Sequence, residues 1–117
     1  MPYVDGFVLA VPKARLDRYQ AFTREAGEVL KEHGACAYVE CVGDALPEGE
    51  QTAIPHAVQS GEDEVVVYAW IVYGSKDERD EVHAKVMADP RLADAPAGFT
   101  LGGKRLIEAG LHAQVEI

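Results

Sequence analysis

The 117-residue chain predicts an α+β fold, a four-stranded antiparallel sheet with both helices on one face, and three observations carry that prediction. Apolar positions switch between strand and helix period in the order β-α-β-β-α-β. Two helix starts are marked, one by Pro12 and one by the box Ser75-x-x-Glu78. The length suits one core, with roughly two-thirds of the unfolded surface open to burial, so residues 1–117 are expected to form a single domain.

Tyr3 to Val11 is a mostly apolar, β-prone run that stops at Pro12, which cannot donate to a ladder. From Pro12 the apolar positions Leu16, Tyr19, Phe22, Ala26, Val29 and Leu30 recur at three and four residues until Gly34 supplies a stop. Ala35 to Val42 alternates weakly and ends at Gly43-Asp44, a second strand. The polar stretch from Gly43 to Glu64, with Pro47, Gly49, Pro55 and Gly61, is long for a connection in a compact domain. It is expected to be an arm reaching a partner or a mobile loop rather than a lid. Val65 to Tyr73 is the strongest strand, apolar at both parities, and belongs at the centre of the sheet with both faces covered. The box at Ser75 opens a second helix, continued by Val82, Val86 and Met87 and closed near Asp89-Pro90. Arg91 to Gly103 reads as a turn plus loop, and the last strand is expected from about Lys104 to Ile117.

Charge and composition exclude several functions. With 20 acidic and 11 basic residues the net charge is -9, which repels phosphate backbones and anionic membrane surfaces, so neither nucleic acid nor membrane is an expected partner. No apolar run reaches the roughly 18 residues of a membrane span, and Met1-Pro2-Tyr3-Val4-Asp5 lacks the basic start of a signal peptide. A soluble, cytoplasmic protein is the expectation. Cys36 and Cys41 lie on opposite faces of one strand, roughly 16 Å apart, too far for a disulfide. They read as small core residues in a reducing compartment. His33, His56, His83 and His112 are scattered without metal-ligand spacing, so no metal is expected, and no motif calls for a cofactor. Ser75 serves as a helix cap and Ser60 lies in a loop, which leaves no Ser-His-Asp set.

Right-handed crossovers put both helices on one side of the sheet, the ferredoxin-like arrangement. Matched parities assign Val4, Val8, Ala10, Val65, Val67, Ala69, Ile71, Ile107, Ala109 and Leu111 to the helix-covered face. The open face then carries Tyr3, Asp5, Phe7, Leu9, Cys36, Tyr38, Glu40, Val66, Tyr68, Trp70, Val72, Glu108 and His112. Its apolar members make a patch too large for a monomer surface, and acids in place of Lys and Arg argue against base stacking. A second copy packed face to face about a two-fold axis is the economical cover, so a homodimer enclosing a barrel-like core is predicted.

Several short motifs are spread along nearly the whole chain: Tyr3-Val4-Asp5-Gly6-Phe7-Val8, Val11-Pro12, Glu40-Cys41, Trp70-Ile71, Arg79-Asp80, Asp89-Pro90-Arg91 and Lys104-Arg105. In this combination the chain resembles the YbaA-like family of uncharacterised bacterial proteins. The resemblance implies membership of the dimeric α/β-barrel superfamily, which includes cofactor-free monooxygenases, haem-degrading enzymes and groups with no assigned reaction. It implies a fold and a dimer, and no established activity. The chain departs from the family pattern at His83, where asparagine is usual, at Glu108, where tyrosine is usual, at Leu111, where phenylalanine is usual, and at Leu101-Gly102, which replaces a Phe-Asp pair. A mechanism shared by the family therefore rests on Asp5, Glu40 and Trp70, and any role of His83 or Glu108 is private to this protein.

The candidate chemistry lies on the open face. Asp5, Glu40, Glu108 and His112 sit there among Tyr38, Tyr68 and Trp70, and carboxylates in a partly dry aromatic setting have the raised pKa of a general acid or base. Asp5, Glu40 and His112 are the catalytic candidates, and Tyr38, Tyr68, Trp70 and Glu108 the ligand-binding ones. A small phenolic or enolisable substrate held against Trp70 would give a proton to Asp5 or Glu40, with Tyr68 or His112 stabilising charge. The structural alternative pairs the same acids with Arg or Lys of a second subunit and sets dimer register. Two functions follow: a small homodimeric protein binding an apolar or aromatic ligand, or a cofactor-independent enzyme of monooxygenase or isomerase type.

Overall fold

The computed structural model describes residues 2–43, 61–92 and 107–117. The long connection expected between Gly43 and Glu64 and the loop expected before Lys104 lie largely outside the described residues. Strand β1 (Tyr3–Pro12) leads through a 3-10 turn at Lys13–Arg15 into helix α1 (Leu16–Glu32). Strands β2 (Ala37–Val42) and β3 (Glu64–Tyr73) precede helix α2 (Lys76–Met87), a second 3-10 turn at Pro90–Leu92 and strand β4 (Ile107–His112). All pairings are antiparallel and the strand order is β2-β3-β1-β4, the ferredoxin-like topology predicted. The last strand is shorter than expected, because Ala113 to Ile117 continue past it without joining the sheet.

Local chemistry explains where the helices stop and start. Gly34 has φ +122°, a conformation that L side chains rarely adopt, and lets the chain leave α1 sharply. The Ala35 N–H donates to the Leu30 carbonyl at 3.0 Å and the Gly34 N–H to the Lys31 carbonyl at 3.2 Å, the paired bonds of a Schellman ending. Ser75 Oγ accepts from the Glu78 N–H at 3.1 Å, so the box read from the sequence does cap α2. The ends of the two helices are tied together: Arg91 donates to Asp89 and Glu32, and His33 Nε2 lies 2.9 Å from Asp89 Oδ2. Arg91 first, and His33 second, hold the Asp89 carboxyl well below the usual carboxylate range.

The core shows which face the helices cover. Tyr3, Ile71 and Tyr73 bury themselves with Leu30 and Ala35 and with Val82 of α2, with Phe7, Tyr38 and Val86 packed around them. Leu9, Val11 and Val67 pack on Tyr19 of α1. Through the register, Tyr3, Asp5, Phe7, Leu9 and Val11 therefore share the helix-covered face with Val67, Ala69, Ile71 and Tyr73, with Tyr38 and Glu40, and with Glu108, Gly110 and His112. This corrects the parity expected for three strands. On β3 the assignment of Val65, Val67, Ala69 and Ile71 to the helix side holds. On β1 and β4, however, Val4, Val8, Ala10, Ile107, Ala109 and Leu111 face away from the helices, while Tyr3, Asp5, Phe7, Leu9, Glu108 and His112 face them; on β2 so do Tyr38 and Glu40.

The physical reason lies in β1, which is apolar at both parities, so alternation alone does not orient it. Asp5 points toward exposure on polarity, yet α2 supplies an arginine and a histidine that satisfy it on the covered side. The cysteines are a second correction: both are free and exposed rather than core residues.

Candidate functional site

Asp5 is the buried charge of the sheet. It is 4% exposed, and burying an unpaired carboxylate costs on the order of several kcal/mol, so its partners decide whether it is tolerated. Both come from α2. Arg79 Nε donates to Asp5 Oδ2 at 3.2 Å and His83 Nε2 approaches the same oxygen at 3.2 Å. Four residues apart, the two side chains leave α2 on one side, and the cap at Ser75 sets the helix they leave from. Val82 and Val86 of α2 pack into the core that also holds Leu30 and Ala35, which presses that side onto the sheet.

Surrounding groups hold the two side chains in place. Arg79 donates a second bond to Asp80 Oδ1 at 2.9 Å, and its guanidinium carbon lies 5.6 Å from the centre of the Tyr3 ring, a cation–π arrangement. The bond to Asp80, then that to Asp5, raises the Arg79 pKa further and keeps the guanidinium charged. The His83 ring meets the Tyr73 ring edge-on, with centroids 6.2 Å apart. Burial first, then the Asp5 charge and a hydrogen bond to Asp5, push the Tyr73 phenol up.

These groups open onto a cavity of about 310 Å³. Helix α2 walls it with Arg79 and His83, β1 with Asp5 and Phe7, and β4 with Glu108, Ala109 and Gly110. Beside it Tyr3 lies so close to the β4 backbone that a Cβ on Gly110 would collide with the Tyr3 hydroxyl. His112 packs edge-on to Tyr3 at 5.0 Å between ring centroids and does not line the cavity.

The second acid of the covered face is a different kind of group. Glu40 faces α1, where Thr23 Oγ1 lies 2.8 Å from Glu40 Oε2 and 3.2 Å from the Gln20 carbonyl oxygen. Thr23 donates to the Glu40 carboxylate, which favours its charged form and opposes the effect of burial. Desolvation raises the Glu40 pKa, and its Oε1 is buried without a hydrogen-bond partner. Burial first and Glu40 second push the phenols of Tyr19 and Tyr38 up. Glu40 and Tyr38 border an open groove of about 830 Å³ between α1 and β2, with Gln20, Arg24 and Lys31 along it.

The sheet thus divides the residues singled out from the sequence. Asp5 and Glu108 meet at one cavity, Tyr38 and Glu40 at the groove on the other side of the covered face, and His112 at the β4 edge. Tyr68 and Trp70 lie on the opposite face, their rings 5.8 Å apart edge to face. Within one chain, no substrate can rest on Trp70 and reach Asp5 or Glu40, which corrects the expected pose. Nor does Asp5 need a second subunit, since Arg79 and His83 of its own chain satisfy it. Arg79, His83, Tyr73 and Thr23 were not among the expected site residues. The readable signal for the first two was an Arg and a His four apart on a capped helix, next to the Val82–Val86 stripe. Among the described residues no group of three His, Cys, Asp or Glu side chains is placed to hold a metal ion, and no helix is long and apolar enough to cross a membrane.

Comparison with known proteins agrees with this architecture. Residues 2–101 match the family model described as "Protein of unknown function (DUF1428)". The uncharacterized protein YbaA of Escherichia coli (strain K12) is 40% identical over 116 residues, covering 99% of each chain, and the YbaA of Shigella flexneri matches to the same extent. Among solved structures, a dimeric ferredoxin-like protein from an uncultured marine organism superposes with TM-score 0.65 at 10% identity, covering 100% of both chains. An uncharacterized NIPSNAP domain protein from Burkholderia xenovorans gives TM-score 0.58 at 11% identity over 95% of this chain and 93% of that one. SnoaB, a cofactor-independent oxygenase from Streptomyces nogalater, gives 0.54 at 13% identity over 99% and 94%. At these identities the likeness is one of fold.

Proposed function

The chain belongs to the DUF1428 family, and from that premise we propose that it is a homodimer whose cavity between α2 and the β1–β4 edge binds a small aromatic or apolar molecule. The observation that carries the ligand site is the buried Asp5 carboxylate holding Arg79 and His83 at the cavity wall, with Phe7 beside them. An apolar wall with a few convergent polar groups is the usual make-up of a small-molecule site. The dimer rests on the other face, where Tyr68 is 45%, Ile107 46% and Leu111 52% exposed around Trp70 and Val72. A surface of that kind favours a cover, and a dimeric neighbour of the same fold supports a second copy as that cover. In this reading Tyr68 and Trp70 serve the subunit contact and Asp5 and Glu108 serve the cavity. The two free thiols, Cys36 and Cys41, support a reducing, cytoplasmic compartment.

The second reading is a cofactor-independent oxygenase- or isomerase-like enzyme. The contact between His83 and Asp5 favours it, because a carboxylate that orients an imidazole is the arrangement of a general base. A neighbour of the same fold described as a cofactor-independent oxygenase supports it at the level of fold.

Sedimentation over a range of concentrations, combined with an NMR titration against phenols and naphthoquinones, tests the first reading. A dimer whose shift changes gather at Phe7, Arg79 and His83 is expected. A monomer at high concentration removes the dimer, and shifts gathered at Tyr68 and Trp70 remove the cavity.

A further inference from the structure

The cavity beside Asp5 contains more than a recognition site needs. Asp5 is 4% exposed and accepts at Oδ2 from His83 Nε2, whereas the His83 side chain is 44% exposed. A carboxylate beside Nε2 calls for a proton on that nitrogen, so in the neutral ring Nδ1 is the bare one. The imidazole is backed by the Tyr73 ring and borders the cavity. Arg79 uses one N–H on Asp5 and one on Asp80. A guanidinium has about five N–H donors, so roughly three remain for a ligand oxygen. Fixed base, spare cationic donors and an aromatic wall at Phe7 meet in about 310 Å³, room for one ring with a short chain.

Resting on the ligand-binding reading above, we infer that this cavity performs a proton transfer at carbon on a neutral aromatic ketone, with His83 as the base and Arg79 as the donor to the developing enolate oxygen. The C–H bond beside the carbonyl breaks and its proton moves to His83 Nδ1. The electron pair forms the C=C bond of the enolate while the carbonyl π pair moves onto oxygen, where Arg79 donates to it. The imidazolium then returns a proton to carbon, so no oxidant, reductant or cofactor enters the balance. Asp5 is a positioning residue: it touches the base and not the reacting atoms. Glu108, Asp5 and the nearby Asp80 make a substrate carboxylate unwelcome, which selects a neutral ketone over a keto acid.

The test follows phenylacetone in D2O with the intact protein by proton NMR. The solvent-accessible His83 exchanges its proton with the medium, so turnover appears as deuterium at the α-carbon. Wild-type protein is expected to accelerate this exchange by about 100-fold or more over buffer, the low end of what a placed general base supplies. His83→Ala is expected to return it to the buffer rate while the shift changes of Phe7 and Gly110 on binding persist. Asp5→Asn, read by long-range proton–nitrogen spectra of the imidazole, is expected to populate both neutral tautomers and to slow exchange by about tenfold, the effect of a lost orienting partner rather than a lost base. Where phenylacetone shifts the cavity resonances but wild type and His83→Ala exchange alike, the proton transfer is overturned and the binding site stands. Where the cavity resonances do not move at all, both fall.

Discussion

The two faces of the sheet treat polarity in opposite ways. On the helix-covered face two of the acids are answered from within the chain, Asp5 by Arg79 and His83, Glu40 by Thr23. On the other face the described strands carry a single charged side chain, Glu64 at the end of β3, and otherwise present residues such as Val4, Val8, Val39, Tyr68, Trp70, Val72 and Leu111. Burial follows the same division only in part: Leu9, Val11, Val67 and Tyr73 are inaccessible beneath the helices, and on the other face Ala10 and Val66 are buried with Val8 packed on them, while Tyr68, Ile107 and Leu111 stay open to water. In the proposed reading the cavity belongs to the helix-covered side and the subunit contact to the other, and the two can change independently because the sheet stands between them.

The largest expected effect comes from putting a charge on the face that has almost none. Trp70→Asp should leave the fold intact and weaken dimerisation by at least about 100-fold, since a carboxylate would lie in a desolvated apolar contact. Sedimentation equilibrium reads this, and an unchanged dimer would mean that another surface mediates association. Next in size is Arg79→Leu, which leaves the buried Asp5 carboxylate with His83 alone. A loss of about 3 kcal/mol in urea unfolding is expected, the usual cost of orphaning a buried charge. A loss below about 1 kcal/mol would place the Arg79 interaction among weak surface pairs.

The smallest effect concerns Glu40, whose partner on the covered face is a hydroxyl. The folded-state pKa of Glu40 is raised from its ordinary 4.5 by desolvation. Its contribution is therefore full below that value, where both states are protonated, and is lost as pH rises through the folded pKa. Glu40→Gln should raise the urea midpoint at neutral pH, and the gain should shrink toward zero as pH falls through 4.5. An equal effect at both pH values would show that folding does not shift the Glu40 pKa.

Much of this organisation is legible in the residues. The continuous apolar run of Val65 to Tyr73, the stripe from Leu16 to Leu30 closed by Gly34 and the box at Ser75 mark elements that the structure contains, because each depends on local pattern and capping. The site was harder to read. Asp5 among apolar neighbours reads as an acid of the open face, since nothing within a few residues answers its charge; its partners lie 74 and 78 positions away on another element. Gly110 carried no local hint that the Tyr3 hydroxyl would lie against it.

By itself the sequence determined the element order, the helix ends and the surplus of apolar surface, all set by interactions within a few residues or by composition. Tertiary structure alone decided which parity of β1, β2 and β4 turns toward the helices. A strand apolar on both faces has no intrinsic inside; its orientation is settled by whichever neighbour can satisfy its one buried charge, and that neighbour is brought to Asp5 only when α2 packs onto the sheet.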